Sequence, residues 1–110
     1  MTVGELCGSR GFESVCEGNF DRRIETVYCG DLLSNVMLKA PEDCAWVTVI
    51  GNINAAAAAF AANAACIVLA EDAEAEKEML CKAIEHEINV VKTDLPVFEA
   101  ALEIYRQINV

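Results

Sequence analysis

Basic residues are scarce in this chain of 110 residues, which has 8 lysines and arginines against 18 aspartates and glutamates and a formal charge of −10. A surface of this sign repels phosphate backbones and anionic lipids, which argues against nucleic-acid and membrane-surface binding. No secretory-signal pattern opens the sequence, since Glu5, Arg10 and Glu13 interrupt any apolar run there. Asn54 and Asn63 interrupt the stretch that superficially resembles a membrane span. We therefore expect a cytoplasmic protein that binds neither nucleic acid nor membrane.

Residues that carry out catalysis are equally few. His86 is the only histidine, so any catalytic dyad or triad that needs imidazole must use it, and it is predicted at a helix end. Ser34 has no obvious general base beside it. Neither phosphate-binding fingerprint, GxxxxGK[ST] or GxGxxG, occurs. We expect a protein that is not an enzyme and has no catalytic residues, metal site or cofactor.

The six cysteines show no CxxC or CxH spacing, which argues against a metal site or a redox-active pair. In a chain without a signal sequence we interpret them as reduced, buried and inert thiols. A reactive thiol or a cluster ligand is the alternative for Cys29, which precedes a glycine corner, and for Cys66, which begins a strand. The full set is Cys7, Cys16, Cys29, Cys44, Cys66 and Cys81.

The stretch from Cys44 to Glu71 organises the chain. Two short apolar runs, Ala45–Ile50 and Cys66–Ala70, flank an alanine-rich segment that begins after Gly51. This pattern is typical of two buried strands joined by a closely packed helix, a βαβ unit. The hydrophobic fraction of 55% is high for so small a chain, and it indicates close packing or a surface buried in an oligomer.

The flanking segments extend this unit in both directions. The spacing predicts a short helix within 2–10 capped by Thr2, strands over 12–16, 24–29 and 89–93, and a short helix after Gly30 capped by Asp31. The expected fold is α/β: a single layered domain over residues 1–110, with a parallel or mixed sheet of about five strands flanked by helices.

Two longer helices are predicted in the second half. Asp72 is expected to cap a helix from Ala73 to about Glu87, and Thr93 or Asp94 a last helix with Pro96 in its first turn. Their apolar stripes are predicted as Met79, Leu80, Ala83, Ile84 and Ile88 in the first, and Val97, Phe98, Ala101, Leu102, Tyr105 and Ile108 in the second. The acidic residues from Glu71 to Glu78 could collect a divalent cation, but a solvated helix start explains them better.

Two strand-to-helix corners are the candidate ligand sites. The free backbone N–H groups at a helix start can hold an anion, although Asn52 or Asn54 also serves as a simple cap and the alanines simply pack. At the other corner Asp31 could hold a ribose hydroxyl, a metal-bound water or a partner amide, or act only as a cap. The candidate ligand-binding residues are Gly30, Asp31, Ser34, Gly51, Asn52 and Asn54.

The order and spacing of several segments resemble the DRTGG-domain family, which is similar to the N-terminal domain of HPr kinase/phosphorylase. The resemblance covers nearly all of the chain, from Thr2 to Ile108. The segments that carry it are 30–37, 45–48, 54–58, 65–69, 90–94 and 98–101. It implies a compact α/β domain that is usually a non-catalytic, oligomer-forming regulatory module. Kinase activity is not implied, because HPr kinase performs its chemistry in a separate domain with a phosphate loop.

The chain departs from the family at the loop that follows Ile50. That loop has an acidic and a basic residue in the family, whereas this chain has Asn52-Ile53-Asn54, so a ligand role reaches Asn52 and Asn54 only by position. We expect a regulatory or ligand-sensing domain, with a nucleotide or other small anionic metabolite as ligand, acting as a homo-oligomer with a dimer favoured. The alternative is a structural or adaptor subunit that docks onto a larger metabolic enzyme without a small ligand.

Overall fold

The structure, a computed structural model, describes residues 1–109 and has an α/β fold in which one five-stranded sheet is flanked by helices. The strands are β1 (Glu13–Cys16), β2 (Thr26–Cys29), β3 (Cys44–Thr48), β4 (Cys66–Leu69) and β5 (Val90–Lys92). The helices are α1 (Val3–Cys7), α2 (Leu33–Lys39), α3 (Ile53–Ala62), α4 (Lys77–Glu85) and α5 (Val97–Ile108). The predicted fold class is confirmed.

The sheet is mixed, with the strand order β1-β5-β4-β3-β2. Strands β2 to β5 are parallel neighbours, and each connection between them passes through a helix. Strand β1 runs antiparallel to β5 at one edge, and β2 forms the other edge. The carboxyl ends of the four parallel strands therefore meet at one side of the sheet, where ligands bind in open α/β sheets.

Each face of the sheet has its own hydrophobic core. Trp46, Ile67 and Leu69 pack on one face beneath α2, α3 and α4, whereas Val47 and Val68 pack on the other face with α1 and α5. Strands β3 and β4 are buried along their whole length, as predicted for strands covered on both faces.

Two local sequence signals act as predicted. The Thr2 hydroxyl accepts a hydrogen bond from the Glu5 N–H at 3.1 Å, and the Glu5 carboxylate accepts one from the Thr2 N–H at 2.8 Å, which is a complete capping box for α1. The hydrogen bond from the Thr2 N–H to the carboxylate is the largest influence that lowers the pKa of Glu5. At the start of α3, Asn52 Oδ1 accepts from the Asn54 N–H at 3.0 Å, so Asn52 rather than Asn54 is the cap.

At the amino ends of the parallel strands, one arginine links two neighbouring turns. Arg22 donates to Asp43 Oδ1 through Nε at 3.1 Å and Nη2 at 2.9 Å, and to both the backbone and side-chain oxygens of Asn63. Asp43 and Asn63 both have positive φ angles, 64° and 56°. The arginine thus links the two turns that precede β3 and β4.

The predicted start of α4 is wrong. The helix begins at Lys77 rather than Ala73, and Glu76 occupies the cap position without a side-chain hydrogen bond. Glu71 and Asp72 instead form a turn with φ angles of 57° and 56°, whereas a helix cap residue normally has an extended backbone conformation. The five acidic residues between 71 and 78 accordingly lie mostly in a solvent-exposed loop.

The predicted apolar stripes are only partly buried. Met79 and Ala83 of α4 are buried, but Ile84 is 70% exposed. In α5 the fully buried side chains are Ala100 and Ile104, while Phe98 of the predicted stripe is 70% exposed. The cap predicted for α5 is also wrong, because Pro96 occupies the cap position and neither Thr93 nor Asp94 caps the helix. The Thr93 hydroxyl accepts from the Leu95 N–H instead.

Candidate functional site

The two predicted corners are neighbours at the carboxyl edge of the sheet. Because β2 and β3 pair in parallel, with Cys29 opposite Val47, the segments that follow them leave the sheet side by side. Asp31 joins them: its Oδ1 accepts from the Thr48 hydroxyl at 2.6 Å and from the Val49 N–H at 3.2 Å. We call this paired region, residues 30–34 and 48–54, the double corner.

Asp31 does not cap α2, which corrects the prediction. Leu32 occupies the cap position and makes no side-chain hydrogen bond to the helix. The Asp31 carboxylate turns to the neighbouring strand end, where the buried Thr48 hydroxyl needs an acceptor and where the carboxylate also accepts from the Val49 N–H. Asp31 itself remains exposed. Within the described residues, its second oxygen, Oδ2, accepts no hydrogen bond.

Trp46 contacts the same corner from the hydrophobic core. Its indole Nε1 donates to the Gly30 carbonyl at 2.8 Å, and the ring is fully buried. Trp46 and Thr48 were not among the predicted site residues. Their signal in the sequence is a polar residue, Thr48, two positions after Trp46 within a buried apolar run, which places both on one face of the strand.

Gly51 is required for packing. A Cβ atom at this position would lie 1.8 Å from the Glu74 carbonyl oxygen, so the loop that leads to α4 crosses directly over the glycine. The Gly51 carbonyl also accepts from the Glu76 N–H at 2.8 Å. The backbone of residues 74–76 therefore covers this side of the double corner, and a ligand would have to approach from the side of Asp31.

The exposed polar groups of the double corner belong to three short segments. Asp31, Ser34 in the first turn of α2 and Asn54 in the first turn of α3 are all exposed. Residues 30–34 and 48–54 contain no lysine or arginine. The corner thus offers one carboxylate, hydroxyl and amide groups, and the amino ends of two parallel helices.

A second polar region also lies at the carboxyl ends of the parallel strands, beside β5, which is two strands from β3. A cleft of about 410 Å³ follows β5, and Lys92 Nζ lies 3.2 Å from Asp72 Oδ1 there. The hydrogen bond and the negative charge of Asp72 raise the pKa of Lys92. The cleft is lined by Gly11, Phe12, Glu13, Asp72, Lys92, Thr93 and Asp94. Sequence reasoning missed it because its walls come from three segments that only the strand order brings together.

The histidine lies apart from both polar regions, and Cys29, Cys44 and Cys66 are poor nucleophiles. His86 packs against Phe60, with ring centroids 4.4 Å apart. Burial raises the pKa of Cys44 to about 11 and that of Cys66 further still. At Cys29, beside the double corner, partial burial and then the charge of Asp31 raise the thiol pKa. These shifts lower the thiolate fraction at neutral pH, which is the opposite of nucleophile activation.

Residues 1–109 include no group of three or more histidine, cysteine, aspartate or glutamate side chains placed to hold a metal ion. Over the same residues, no helix has the length and apolar character needed to cross a membrane.

Comparison with known proteins adds a structural likeness. No protein-family model matches the chain, and no curated protein sequence matches it. The fold is similar to the crystal structure of the CBS and DRTGG domains of the regulatory region of Clostridium perfringens pyrophosphatase, complexed with its activator diadenosine tetraphosphate. The TM-score is 0.64 at 13% sequence identity, and the likeness covers 86% of this chain and 41% of that chain. The likeness supports the fold that the DRTGG resemblance implies, whereas family membership stays a prediction.

Proposed function

We propose that this chain is a cytoplasmic, DRTGG-like regulatory domain that senses a small ligand, acts as a homo-oligomer and has no catalysis of its own. The ligand class is a nucleotide or another small anionic metabolite. The observation that carries the proposal is the likeness to the regulatory region of a pyrophosphatase whose structure holds a dinucleotide activator. The chain spans 41% of that structure's chain, so the activity of the whole pyrophosphatase is not transferred.

The double corner is the proposed binding site. A nucleotide ribose offers hydroxyl donors, and Asp31 has an exposed carboxylate oxygen without a partner among the described residues. Ser34 and Asn54 stand at the amino ends of α2 and α3, where the helix dipoles favour a phosphate or carboxylate. Because no basic residue lies in the corner and the whole chain is acidic, we expect the phosphates to contribute little and the nucleoside part to supply most of the affinity.

The environment of the reactive groups supports a non-catalytic role. A nucleophile needs a lowered pKa or an adjacent base, but the thiol nearest the corner, Cys29, has a raised pKa. His86 lies just beyond the end of α4, whereas the double corner lies at the starts of α2 and α3. The parallel helices therefore hold the imidazole and the corner at opposite ends of the helical layer.

Ligand titration with a tryptophan readout tests the function. Trp46 is the only tryptophan and contacts Gly30 through its Nε1, so its emission should respond to binding at the corner. Adenosine, AMP, ADP, ATP, diadenosine tetraphosphate and inorganic phosphate would be titrated, with thermal unfolding as a second readout. We expect at least one nucleotide to bind and phosphate alone to bind more weakly.

Two carboxylate variants at the same sheet edge locate the site. Asp31→Ala should weaken nucleotide binding by roughly tenfold, the cost of one charge-assisted hydrogen bond. Asp94→Ala, in the cleft beside Lys92, is the matched control and should leave binding unchanged. The reverse result would move the site to that cleft. A protein that responds to none of the compounds in either readout would overturn the sensing function.

The adaptor role is the second candidate. It is favoured by the number of exposed large apolar side chains, among them Leu38 and Ile84. Affinity capture from the native organism distinguishes the two roles. A stoichiometric enzyme partner, together with no response in the ligand titration, would favour the adaptor.

A further inference from the structure

Helix α3 carries no charged residue and is apolar except for Asn54, although only one side of it is covered. It lies between α2 and α4, and five of its own residues are buried: Ala55, Ala56, Ala58, Ala59 and Ala62. Its outer side exposes Ile53, Asn54, Ala57, Phe60 and Ala61. From Cys44 to Ala70 the chain contains no charged residue, in a protein of net charge −10. A surface helix normally carries charged or polar residues outward, whereas Asn54 is the one polar side chain on the exposed side of α3.

The neighbouring helices add further exposed apolar side chains. Six large apolar side chains of the helical layer are between 44% and 83% exposed. They are Leu32 and the α2 residues Met37 and Leu38, Ile53 and Phe60 of α3, and Ile84 of α4. Leu38, Phe60 and Ile84 all lie in the last turns of their helices, which run side by side. We call the outer surface of α2, α3 and α4 the helical face.

We propose that the helical face binds a second copy of this chain, as a twofold dimer in which the two α3 helices cross near Ala57. The proposal rests on the homo-oligomeric state in the proposed function and names the surface through which the copies associate. The two proposals can fail separately, because one concerns association and the other ligand binding.

The pattern of side-chain sizes along α3 fits a copy of itself. A twofold interface is self-complementary, so residue i of one copy meets residue j of the other, and j meets i. When two antiparallel α3 helices cross at Ala57, Ile53 of one copy meets the turn that holds Phe60 and Ala61 of the other. The small side chains of Ala57 and Ala61 allow the backbones to approach, while the two large side chains fill the space on either side.

Charge also favours a second copy. Two molecules of charge −10 repel one another wherever their acidic surfaces meet, but across α3 only uncharged side chains would face each other. Four charged residues of both signs lie beside Ile53 in the cleft between α3 and α4: Lys77, Glu78, Lys82 and Glu85. The uncharged part of the face is therefore centred on α3, and an apolar core with charged residues nearby is common in protein interfaces.

The size of the face is adequate for a stable dimer. If each of the six large side chains exposes on the order of 100 Å², they supply on the order of 600 Å², and the alanines and rim residues bring the total near the roughly 800 Å² per partner of a standard interface.

The test is the oligomeric state in solution, measured by light scattering coupled to size-exclusion chromatography and by sedimentation over a concentration series. The wild-type protein should be a dimer with a Kd of roughly micromolar or tighter. Ala57→Glu should raise the Kd by about 100-fold or more, because it buries a charge against the same charge of the partner. Phe98→Glu, an exposed apolar residue on α5 across the sheet, is the matched control and should remain dimeric.

Self-pairing makes a sharper prediction. Ala57→Lys alone should also be monomeric, but an equimolar mixture of Ala57→Lys and Ala57→Glu should form a dimer, because each charge then faces its opposite. Ile84→Glu, on α4, serves as a second disrupting variant if Ala57→Glu does not fold. Unfolding midpoints would confirm that the variants are native.

A monomeric wild type would overturn the proposal, and so would a dimer that Ala57→Glu and Ile84→Glu weaken no more than Phe98→Glu does. A dimer that binds no nucleotide would leave the interface standing and remove the sensing function. A monomer that binds a nucleotide would do the reverse.

Discussion

The Asp31 carboxylate accepts a hydrogen bond from the Thr48 hydroxyl at 2.6 Å, and this contact joins the ends of β2 and β3. Thr48 is buried, whereas Asp31 is exposed. The bond therefore supplies a partner to a buried hydroxyl and at the same time fixes the orientation of the one carboxylate in the double corner. Stability and the proposed ligand site depend on the same pair of side chains.

A double-mutant cycle would measure this coupling. Thr48→Val keeps the shape of the side chain and removes the hydroxyl, and Asp31→Ala removes the acceptor. Each is expected to lower the free energy of unfolding by about 1 to 2 kcal/mol, with a coupling energy of at least about 0.5 kcal/mol. Urea unfolding provides the measurement, and Thr48→Ser, which retains the hydroxyl, is the control. Strictly additive losses would contradict the coupling.

Gly51→Ala should be severely destabilising. The added Cβ would lie 1.8 Å from the Glu74 carbonyl oxygen, so the loop before α4 must move, and we expect a loss above about 2 kcal/mol. Gly8→Ala is the matched control, because its φ is −83° and the nearest atom to its Cβ would lie at 3.5 Å. The control should change the free energy of unfolding by no more than about 0.5 kcal/mol. Equal midpoints for the two variants in chemical unfolding would refute this account of Gly51.

Arg22→Lys should not behave as a conservative change. The guanidinium contacts Asp43 through two nitrogens and also reaches Asn63, and a single ammonium cannot reproduce that geometry. We expect thermal and urea unfolding to show a loss of about 1 to 2 kcal/mol. Arg23→Lys is the control: its side chain is exposed and lies 3.9 Å from Glu25, so the same measurements should detect almost no change.

Stability should fall as the pH rises above the ordinary pKa of a thiol. Burial raises the pKa of Cys44 from 9.0 to about 11, so between these values the unfolded chain loses a proton that the folded chain keeps. The unfolded state then binds fewer protons, and the free energy of unfolding decreases with pH, by about 2 to 3 kcal/mol across the window. The buried Cys66, whose pKa is also raised, acts in the same direction.

Urea unfolding at several pH values from roughly 8 to 11 would reveal this dependence. Cys44→Ala should be less stable at pH 8 but should lose less stability as the pH rises. Cys81→Ala removes an exposed thiol and should follow the wild-type curve. If the Cys44→Ala curve runs parallel to the wild type, the thiol does not contribute to the alkaline loss.

Local chemistry explains which features could be predicted. The capping box at Thr2 and the asparagine cap at Asn52 depend on residues two or three positions apart, and both are present. The turn at Glu71 and Asp72 could not be foreseen, because an aspartate in that position is equally suited to cap a helix. Its conformation is set by hydrogen bonds from the Glu71 and Asp72 N–H groups to the carbonyls of Leu95 and Thr93, which lie more than 20 residues away.

The apolar pattern of α5 predicts a helix but not how deeply its side chains are buried. The spacing of Val97, Ala101 and Ile108 predicts a helix correctly, since periodicity reflects the geometry of the helix itself. It does not define how much of the apolar side is covered. Phe98 and Tyr105 stay exposed, because α5 reaches only as far as β2 at the sheet edge and no further element of residues 1–109 lies beyond that strand.

The sequence by itself determined the α/β class, the order of the elements and the location of both corners, because spacing and caps act within a few residues of one another. Only the tertiary structure decided that Asp31 binds Thr48, that Glu74 covers Gly51 and that an uncharged side of α3 faces outward. Each of these depends on which strands lie side by side. Strand order is set by the burial of surfaces that are distant in sequence, and no local pattern records it.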